Sequence, residues 1–485
     1  MIKVTTLLPN YVPILRTILE EGFDCGVGGR KGYQTFESNM LFVLRFMVDC
    51  GIFGASWISL EPGTYYLRNN LKHLSIGNGH DSDDGDNGKQ FYSNLTPTSR
   101  CQIEVDISFD KLIAHKPEGD WQSIAPMRIL SFDIECAGRP GIFPEATIDP
   151  VIQIANMVTL QGQSEPIIRN IFTLKSCAPI SGAHVMSFDD EGDLLRSWFK
   201  FMIACDPDFL SGYNIVNFDL PYLIDRAAAL KIEEFPYLGR IFSRKTEIKT
   251  ALFQSNQSGC RERKDINIEG RVQFDVLHLV QKEYKLRSYS LNSVSAHFLG
   301  EQKEDVHHSA ISGLQNGDEQ TRRRLAIYCL KDAYLPQRLM DKLMFVYNYT
   351  EMARVTGVPS TYLMTRGQQV KVLTQLYRKA NSKGFIIPAV KSSVYGGGNV
   401  GNGGDDVGYE GATVIEPIKG FYDTPIATLD FNSLYPSIMM AHNLCYSTLV
   451  PKHMARELLE KYPDDYTLTP CGDTVSYTHL RAHET

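Results

Sequence analysis

Residues 127–136 read MRILSFDIEC, a stretch that fits an extended strand with two unlike faces. Because side chains alternate along a strand, Leu130 and Phe132 point to one side of it. Asp133 and Glu135 share the opposite side, where two neighbouring carboxylates raise each other's pKa unless a cation lies between them. Mg²⁺ prefers carboxylate and water oxygens. The pattern therefore predicts a metal site, with a solvated strand edge as the alternative.

A further acid follows a turn in residues 211–223, which read SGYNIVNFDLPYL. We expect Asp219 to begin a helix, because Pro221 suits the first turn. Asn214 and Phe218 lie just before it in the chain. One amide and one aromatic ring suit the binding of a strand end, since a hydrogen bond and base stacking work with any base. Taken alone, an aspartate that caps an apolar helix also explains this segment.

The next acid lies in residues 325–335, which read LAIYCLKDAYL. Tyr328 and Asp332 are four residues apart and share one face of the predicted helix. Asp332 can complete a metal site while the Tyr328 hydroxyl orients an attacking water. Taken alone, the pair is better explained as a surface tyrosine and aspartate on an otherwise buried helix.

Residues 424–440 read TPIATLDFNSLYPSIMM. This pattern predicts a strand over residues 425–431, then a turn and a helix that begins at Pro436. Asp430 lies at the end of the strand, where the N–H groups of the following turn are exposed. Such an aspartate can bind a metal-chelated triphosphate. The alternative is a buried strand–turn–helix in which the acid is a cap.

In this order, FDIE, YNxxxFD and YxxxD resemble the three exonuclease motifs of the family B DNA polymerases. The resemblance implies an RNase H-like 3′→5′ exonuclease domain in which two metal ions assist hydrolysis of the terminal phosphodiester bond. Mg²⁺ is the implied ion, two per active site, with Mn²⁺ as an alternative. The implied metal ligands are Asp133, Glu135, Asp219 and Asp332. Tyr328 is implied as a further catalytic residue, and Asn214 and Phe218 as contacts to the DNA 3′ end.

The segment DFNSLYPS, residues 430–437, resembles the first palm motif of the same family. The resemblance implies Asp430 as a catalytic metal ligand of the polymerase site. The implied nucleotide-binding residues are Ser433, Leu434 and Tyr435. A second palm carboxylate is not found, because the only similar segment, CGDTVS at 471–476, lies too soon after Asp430 and has Val475 where that acid belongs. We therefore expect a complete exonuclease acid set, only the first palm motif, and no processive primer extension.

Three long stretches that lie mostly outside these motifs, residues 131–145, 283–309 and 352–372, resemble the delta-type branch of the family. The resemblance implies a replicative polymerase in the nucleus that acts on primer–template DNA, single-stranded 3′ ends and dNTPs. It implies accessory polymerase subunits and a sliding clamp as partners, and no membrane. It also implies a longer protein at both ends, with an iron–sulfur cluster only in the C-terminal region.

Three alternatives remain. The first is a non-catalytic DNA-binding fragment, and the second is another exonuclease-bearing family B polymerase. The third is a free-standing RNA exonuclease with the same acids. The segment DFNSLYPS counts against the last of these.

The expected fold is multidomain α/β and α+β, with the RNase H-like domain flanked by a β-rich N-terminal domain and the start of a polymerase palm. Strands are predicted over 126–135 and 151–160, helices over 191–203 and 218–230, and a helical stretch over 318–352 that is interrupted at Pro336. Residues 248–271 resemble an exonuclease hairpin. The predicted domains are 1–122 (partial N-terminal domain), 123–345 (exonuclease), 346–408 (helical connector with a glycine-rich insertion), 409–473 (start of the palm) and 474–485 (a non-native tail with no element that packs).

Composition excludes several other classes of protein. The 485 residues are 43% hydrophobic with a formal net charge of −7, which is ordinary for a globular protein and argues against a binder that relies on bulk positive charge. None of the ten cysteines forms a CxxC pair, so neither a zinc site nor a disulfide framework is expected. The start, with two prolines in its first 13 residues, predicts a strand and a helix, not a signal peptide. Residues 77–88 and 396–408 are predicted to be exposed flexible insertions.

Overall fold

The computed structural model describes residues 2–24, 26, 29–68, 91–93, 96–255, 259–301, 306–387, 389, 415–445, 448–450, 452–469 and 474–476. The chain forms two compact units. The larger unit is Phe46–Thr374, and the smaller unit combines Met1–Arg45 with Gln375–Thr485. Residues 122 and 345, at which domain boundaries are predicted, both lie inside the larger unit. The two predicted insertions lie outside the described residues.

The strands of the described residues are β1 (Phe23–Asp24), β2 (Arg30–Lys31), β3 (Ile58–Ser59), β4 (Tyr65–Arg68), β5 (Phe91–Ser93), β6 (Val105–Ile107), β7 (Ile113–Ala114), β8 (Arg128–Cys136), β9 (Val151–Leu160), β10 (Ile168–Leu174), β11 (His184–Phe188), β12 (Phe209–Gly212), β13 (Ile248–Ser255), β14 (Gly259–Ile266), β15 (Val272–Asp275), β16 (Leu449–Val450), β17 (Tyr466–Leu468) and β18 (Thr474–Ser476). The α-helices are α1 (Tyr11–Glu21), α2 (Phe42–Asp49), α3 (Glu191–Cys205), α4 (Asp219–Ala229), α5 (Val276–Glu283), α6 (Leu291–Leu299), α7 (His308–Asn316), α8 (Glu319–Lys342), α9 (Phe345–Thr356), α10 (Ser360–Thr365), α11 (Gln369–Ser382), α12 (Leu434–Ala441) and α13 (Lys452–Lys461). None of these helices combines the length and the apolar character needed to cross a membrane.

A six-stranded mixed sheet forms the centre of the larger unit, in the order β11-β10-β9-β8-β12-β15. Strand β9 is antiparallel to both of its neighbours, whereas β12 is parallel to β8 and to β15. Asp133 lies opposite Ala155 of β9, and Glu135 lies opposite Gln153. The two acids of β8 are therefore carried by an inner strand, just beyond Ser131, the last residue of β8 that pairs with β12.

One face of this sheet packs against helices α3 and α4. Leu130 and Phe132 of β8 are fully buried in a core that includes Trp198 of α3 and Leu223 of α4. The Phe132 and Trp198 rings lie 5.6 Å apart between centroids. This apolar half of β8 fixes which way the strand faces, because a shift by one residue would bury the acids among these helices.

Helix α8 covers the opposite face of the sheet. Ala326, Cys329 and Ala333 of this helix pack against Ala155 and Met157 of β9. Small side chains let the helix lie close to the strands, and the Ser131 hydroxyl of β8 donates a hydrogen bond of 2.7 Å to the Ala333 carbonyl. Helix α8 therefore lies directly over the acidic face of β8.

The elements predicted around the acids are confirmed in the larger unit. Strand β9 has the predicted bounds, and β8, α3 and α4 differ from theirs by one or two residues. A β-hairpin over residues 248–266 is also present, with Ile248 paired to Ile266. Short strands lie between residues 58 and 114, in the region predicted to be β-rich.

The interruption predicted at Pro336 is wrong. Helix α8 continues through this residue and ends at Lys342, and α9 begins after Met344, which has a left-handed φ of 52°. A proline inside a helix removes one backbone hydrogen bond. Leu335 and Leu339 are fully buried on either side of the buried Pro336. Burial of this face holds the helix together across the missing bond.

Two strand predictions in the smaller unit are wrong. Residues 2–10 form no strand before α1, and residues 425–431 form none before α12. Leu429 and Phe431 are exposed. A strand needs a hydrogen-bonded neighbour, and no segment among the described residues pairs with either stretch.

The prediction that residues from 474 onward contain no packing element is also wrong. Strand β18 lies between β16 and β17 in a three-stranded antiparallel sheet. Thr474 and Val475 are buried there. Alternating apolar and polar residues in TVS are too short a signal to identify a strand without its partners.

Candidate metal centre

Strand β8 supplies two carboxylates to the space under helix α8. Glu135 is buried and Asp133 is half-buried, because both point away from the apolar core and toward the helix. The solvated strand edge, the alternative left open by the sequence, is therefore wrong for this pair.

Helix α4 supplies a carboxylate from its first residue. Asp219 is only 2% exposed, and one of its oxygens accepts a hydrogen bond of 3.1 Å from the backbone N–H of Ile134. Ile134 lies between Asp133 and Glu135 in β8. The helix start is thus tied to the strand at the point from which the other two acids project. Asp219 is not the helix cap, since Phe218 occupies that position.

Helix α8 supplies the remaining acid and a tyrosine. Asp332 is buried, so the alternative in which this aspartate lies on the protein surface is wrong. Burial raises the pKa of the Tyr328 hydroxyl, and the negative charges of Asp332, Glu135 and Asp133 raise it further, as does a hydrogen bond between Tyr328 and Asp332. The hydroxyl therefore stays protonated, close to three of the four predicted acids.

The cluster includes one side chain that the sequence pattern did not reveal. The Cys329 sulfur lies 3.6 Å from an Asp133 carboxylate oxygen. Potential ligand atoms of Asp133, Glu135 and Cys329 all lie within 4.8 Å of one another. A single cysteine on the buried face of a helix usually packs in a core, and only the contact between α8 and β8 shows that Cys329 lies beside the acids.

Burial makes the cluster unfavourable as a set of bare charges. It raises the pKa of Asp219 to about 8, even though the Ile134 N–H lowers it, and the charges of Asp275 and Asp332 add to the rise. A divalent cation offsets this kind of repulsion between neighbouring carboxylates. Four convergent acids from three elements fit such an ion.

The residues predicted to bind a strand end lie in the loop before α4. Asn214 has a left-handed φ of 68°, and its side-chain oxygen accepts a hydrogen bond of 3.1 Å from the Asn217 amide. The Phe218 ring contacts Phe143 edge-on, with 5.4 Å between the centroids. Phe143 is 73% exposed and was not predicted. Together the two rings form an aromatic surface next to Asp219.

Asp275 is a further residue near the acids that the sequence did not indicate. It ends β15, is only 4% exposed, and accepts hydrogen bonds from the backbone N–H groups of Asn214 and Val216. Burial raises the pKa of its carboxyl. Its role depends on residues about 60 positions earlier in the chain, which no local pattern shows.

The predicted polymerase residues lie in the smaller unit. Asp430, Ser433, Leu434 and Tyr435 are all exposed. Ser433 has a left-handed φ of 52° and precedes α12, whose Ser437 N–H donates a 2.9 Å hydrogen bond to the Ser433 carbonyl. The predicted turn and helix are present there, whereas the second acid of such a site is not found in the sequence.

Comparison with known proteins identifies the family. Residues 33–294 match the model of the DNA polymerase family B exonuclease domain, and residues 358–483 match the model of DNA polymerase family B. The chain belongs to DNA polymerase family B. The first match contains Asp133, Glu135 and Asp219, and the second contains Asp430. The second match also runs into the segment that was predicted to be non-native.

Several relatives within family B are DNA polymerase delta catalytic subunits. The protein from Oryza sativa is 55% identical over 473 residues, which is 98% of this chain and 40% of the relative. That from Drosophila melanogaster is 56% identical over 483 residues, 99% of this chain and 41% of the relative. The predicted resemblance to the delta-type branch is confirmed. The chain spans about two fifths of the length of these relatives.

A solved structure supports the family B fold. The family B DNA polymerase from the hyperthermophilic archaeon Pyrobaculum calidifontis matches 97% of this chain and 49% of its own length, with a TM-score of 0.59 and 22% sequence identity. Together with the two family matches and the mixed sheet of the larger unit, this match confirms the predicted fold class of an exonuclease domain followed by the start of a polymerase domain.

Proposed function

We propose that this chain is part of a replicative, delta-type DNA-directed DNA polymerase, and that its larger unit is the 3′→5′ proofreading exonuclease. The observation that carries the proposal is the convergence of Asp133, Glu135, Asp219 and Asp332 from one strand and two helices into one mostly buried cluster. Such a cluster is costly in free energy unless cations bind it. The proposed ions are two Mg²⁺, with Mn²⁺ as the alternative.

Each part of the cluster has a proposed role in hydrolysis of the terminal phosphodiester bond. The four carboxylates would hold the divalent ions. When bound, those ions would activate a water and stabilise the charge on the leaving 3′ oxygen. The Tyr328 hydroxyl stays protonated and orients the attacking water by a hydrogen bond. Asn214 and Phe218 bind the 3′ end through a hydrogen bond and base stacking, which accepts any base.

The smaller unit carries the proposed start of the polymerase site. Asp430 is a proposed metal ligand, and Ser433, Leu434 and Tyr435 are proposed contacts to the incoming dNTP. Primer–template DNA, accessory subunits and a sliding clamp are the proposed partners of the whole protein, with the nucleus as its location. An iron–sulfur cluster is proposed only for the C-terminal region of the whole protein. With one palm acid, we expect this chain to show no processive primer extension.

The nuclease is tested with the purified chain, a 3′-labelled single strand and Mg²⁺. The variant carries Asp133→Ala and Glu135→Ala. A matched control carries Glu233→Ala and Glu234→Ala, which also removes two neighbouring acids but from an exposed stretch. We expect the wild type and the control to degrade the strand at equal rates. The variant should be slower by about 10³-fold or more, because a metal site contributes several kcal/mol to the transition state.

Equal degradation by all three proteins would contradict the assignment of this site. Binding of the strand by the wild type without any degradation would favour the non-catalytic DNA-binding alternative.

A further inference from the structure

Asp275 connects the end of one strand to the loop that precedes α4. In the sheet register Asp275 is the partner of Gly212, the last residue of β12. One carboxylate oxygen accepts the Asn214 N–H at 2.9 Å and the Leu277 N–H at 3.1 Å. The other oxygen accepts the Val216 N–H at 3.1 Å. Three backbone donors therefore converge on one buried carboxylate.

Only one of these three bonds serves the helix that follows Asp275. Leu277 lies in the first turn of α5, which Asp275 caps. The other two donors come from a loop some 60 residues away in sequence. Asp318 is an instructive contrast, because it caps α8 through Gln320 and Thr321 alone. Capping explains Asp318 fully, but it explains only a third of the bonds to Asp275.

The loop bound by Asp275 is a closed turn. The Asn214 carbonyl accepts hydrogen bonds from the N–H groups of Asn217 (3.2 Å) and Phe218 (3.0 Å), and the Ile215 carbonyl accepts one from Leu220 (2.9 Å). Asn214 is in the left-handed region, which is uncommon for a residue other than glycine. Two backbone N–H groups of this loop have the Asp275 oxygens as their acceptors, so Asp275 can hold this conformation.

A second contact links the same two segments. The Asn217 side-chain amide lies 3.1 Å from His278 Nε2, and His278 Nδ1 lies 3.5 Å from an Asp275 oxygen. Loop residues 214–217 are thus tied to β15 and α5 through three atoms, the backbone nitrogens of Asn214 and Val216 and the side-chain nitrogen of Asn217. The turn leads directly into Asp219, with Phe218 between them.

We propose that Asp275 is a positioning residue for the nuclease. It holds the turn at residues 214–218 so that Asn214 and Phe218 are already arranged to receive a DNA 3′ end next to Asp219. This inference rests on the proposed exonuclease function. A displacement of about 1 Å in such a binding group can lower a rate by about 10²-fold, which sets the scale of the expected effect.

The test uses the full chain with Asp275→Asn, Asp275→Ala and, as a matched control, Asp318→Asn. Asparagine keeps one acceptor oxygen but places an NH₂ group against one of the loop's donors, whereas alanine removes all three bonds. The probe is a single strand with 2-aminopurine at its 3′ terminus, bound in EDTA so that it is not degraded. Its fluorescence reports stacking of the terminal base.

We expect the wild type and Asp318→Asn to change the fluorescence of the probe to the same extent. Asp275→Asn should reduce the change, and Asp275→Ala should reduce it further. In Mg²⁺, we expect Asp275→Asn to lower kcat/KM by 10- to 100-fold, mainly through a higher KM for single strands. Circular dichroism and thermal melting show which variants are folded at the assay temperature.

The inference would be overturned if Asp275→Asn is folded and shows the same fluorescence change and the same KM as Asp318→Asn. Failure of both Asp275 variants to fold would also overturn it, because Asp275 would then maintain the fold as a whole. If the wild type binds the probe but degrades no DNA, the proposed function fails, while the fluorescence still decides the role of Asp275.

Discussion

The Asp219 carboxylate accepts a hydrogen bond from the backbone N–H of Ile134, at 3.1 Å. Ile134 is the residue between Asp133 and Glu135, so this bond joins the start of α4 to the middle of the acidic strand. The bond lowers the pKa of Asp219, but burial and two neighbouring acids outweigh it. The bond that positions Asp219 thus also affects its charge, and both the position and the charge of Asp219 can be tested.

Asp219→Asn should stabilise the protein without metal at alkaline pH. The folded-state pKa of about 8 lies above the ordinary value of 3.8, so between these values the folded protein binds more protons than the unfolded one. The free energy of unfolding then falls as pH rises, by up to about 1.4 kcal/mol per pH unit. In EDTA we expect the variant to melt above the wild type at pH 8.5, with a much smaller difference at pH 5.

Addition of Mg²⁺ is the control for this prediction. At pH 8.5 it should raise the melting temperature of the wild type more than that of Asp219→Asn, because the variant lacks one charged ligand. A difference in melting temperature that does not change with pH would show that Asp219 ionises normally in the fold.

Tyr328→Phe should slow the nuclease and leave its metal requirement unchanged. The substitution keeps the ring but removes the hydroxyl that lies near Asp332, Glu135 and Asp133. Groups that orient a water or move a proton contribute about 10²- to 10⁴-fold to a rate. We expect a loss of at least about 10-fold in single-turnover rate with Mg²⁺ at saturation.

Tyr334→Phe is the matched control for Tyr328. Tyr334 lies on the same helix, but its ring contacts the guanidinium groups of Arg169 and Arg338. We expect the control to retain the wild-type rate. Equal losses in both variants would mean that the hydroxyl of Tyr328 has no particular role in hydrolysis.

Local patterns were sufficient to predict the elements that carry the acids. Strand β9 agrees with its predicted bounds because seven of its ten residues are apolar, and nine of the ten are buried. Asp133 and Glu135 follow from the alternation along β8. Asp219 follows from its place at a helix start. In each case the decisive signal lies within one element.

The parts that could not be predicted depend on contacts between distant segments. Asp275 meets its loop only after β12 and β15 pair. Cys329 meets Asp133 only where α8 crosses β8. The wrong strand prediction for residues 425–431 also concerns contacts between distant segments. An apolar pattern indicates a strand, but the segment becomes one only when it pairs with a neighbouring strand. Sequence motifs therefore located the acids better than the residues that support them.

Cys329→Ser should leave the Mg²⁺-dependent rate within about threefold of the wild type. The sulfur lies among possible ligand atoms of Asp133 and Glu135, but Mg²⁺ prefers oxygen ligands and burial raises the pKa of the thiol. The thiol is therefore expected to pack beside the metal site without binding the ion. The measurement is the nuclease rate across a Mg²⁺ titration, with the folded fraction checked by thermal melting.

A shift of the Mg²⁺ midpoint in Cys329→Ser by tenfold or more would contradict this expectation. Such a shift would place the Cys329 side chain among the ligands.

Arg226→Ala should destabilise the larger unit by about 3–5 kcal/mol, because it leaves a buried carboxylate without its ion-pair partner. Arg226 donates two hydrogen bonds to Glu191, of 2.8 and 2.7 Å, and both side chains are about 10% exposed. Glu191 also accepts the Val151 N–H, so the pair links α4 and α3 to the start of β9.

The control is Arg196→Ala, whose pair with Asp193 is exposed and should contribute at most about 1 kcal/mol. Chemical denaturation measures both changes, and similar losses in the two variants would show that burial does not strengthen the Arg226–Glu191 pair.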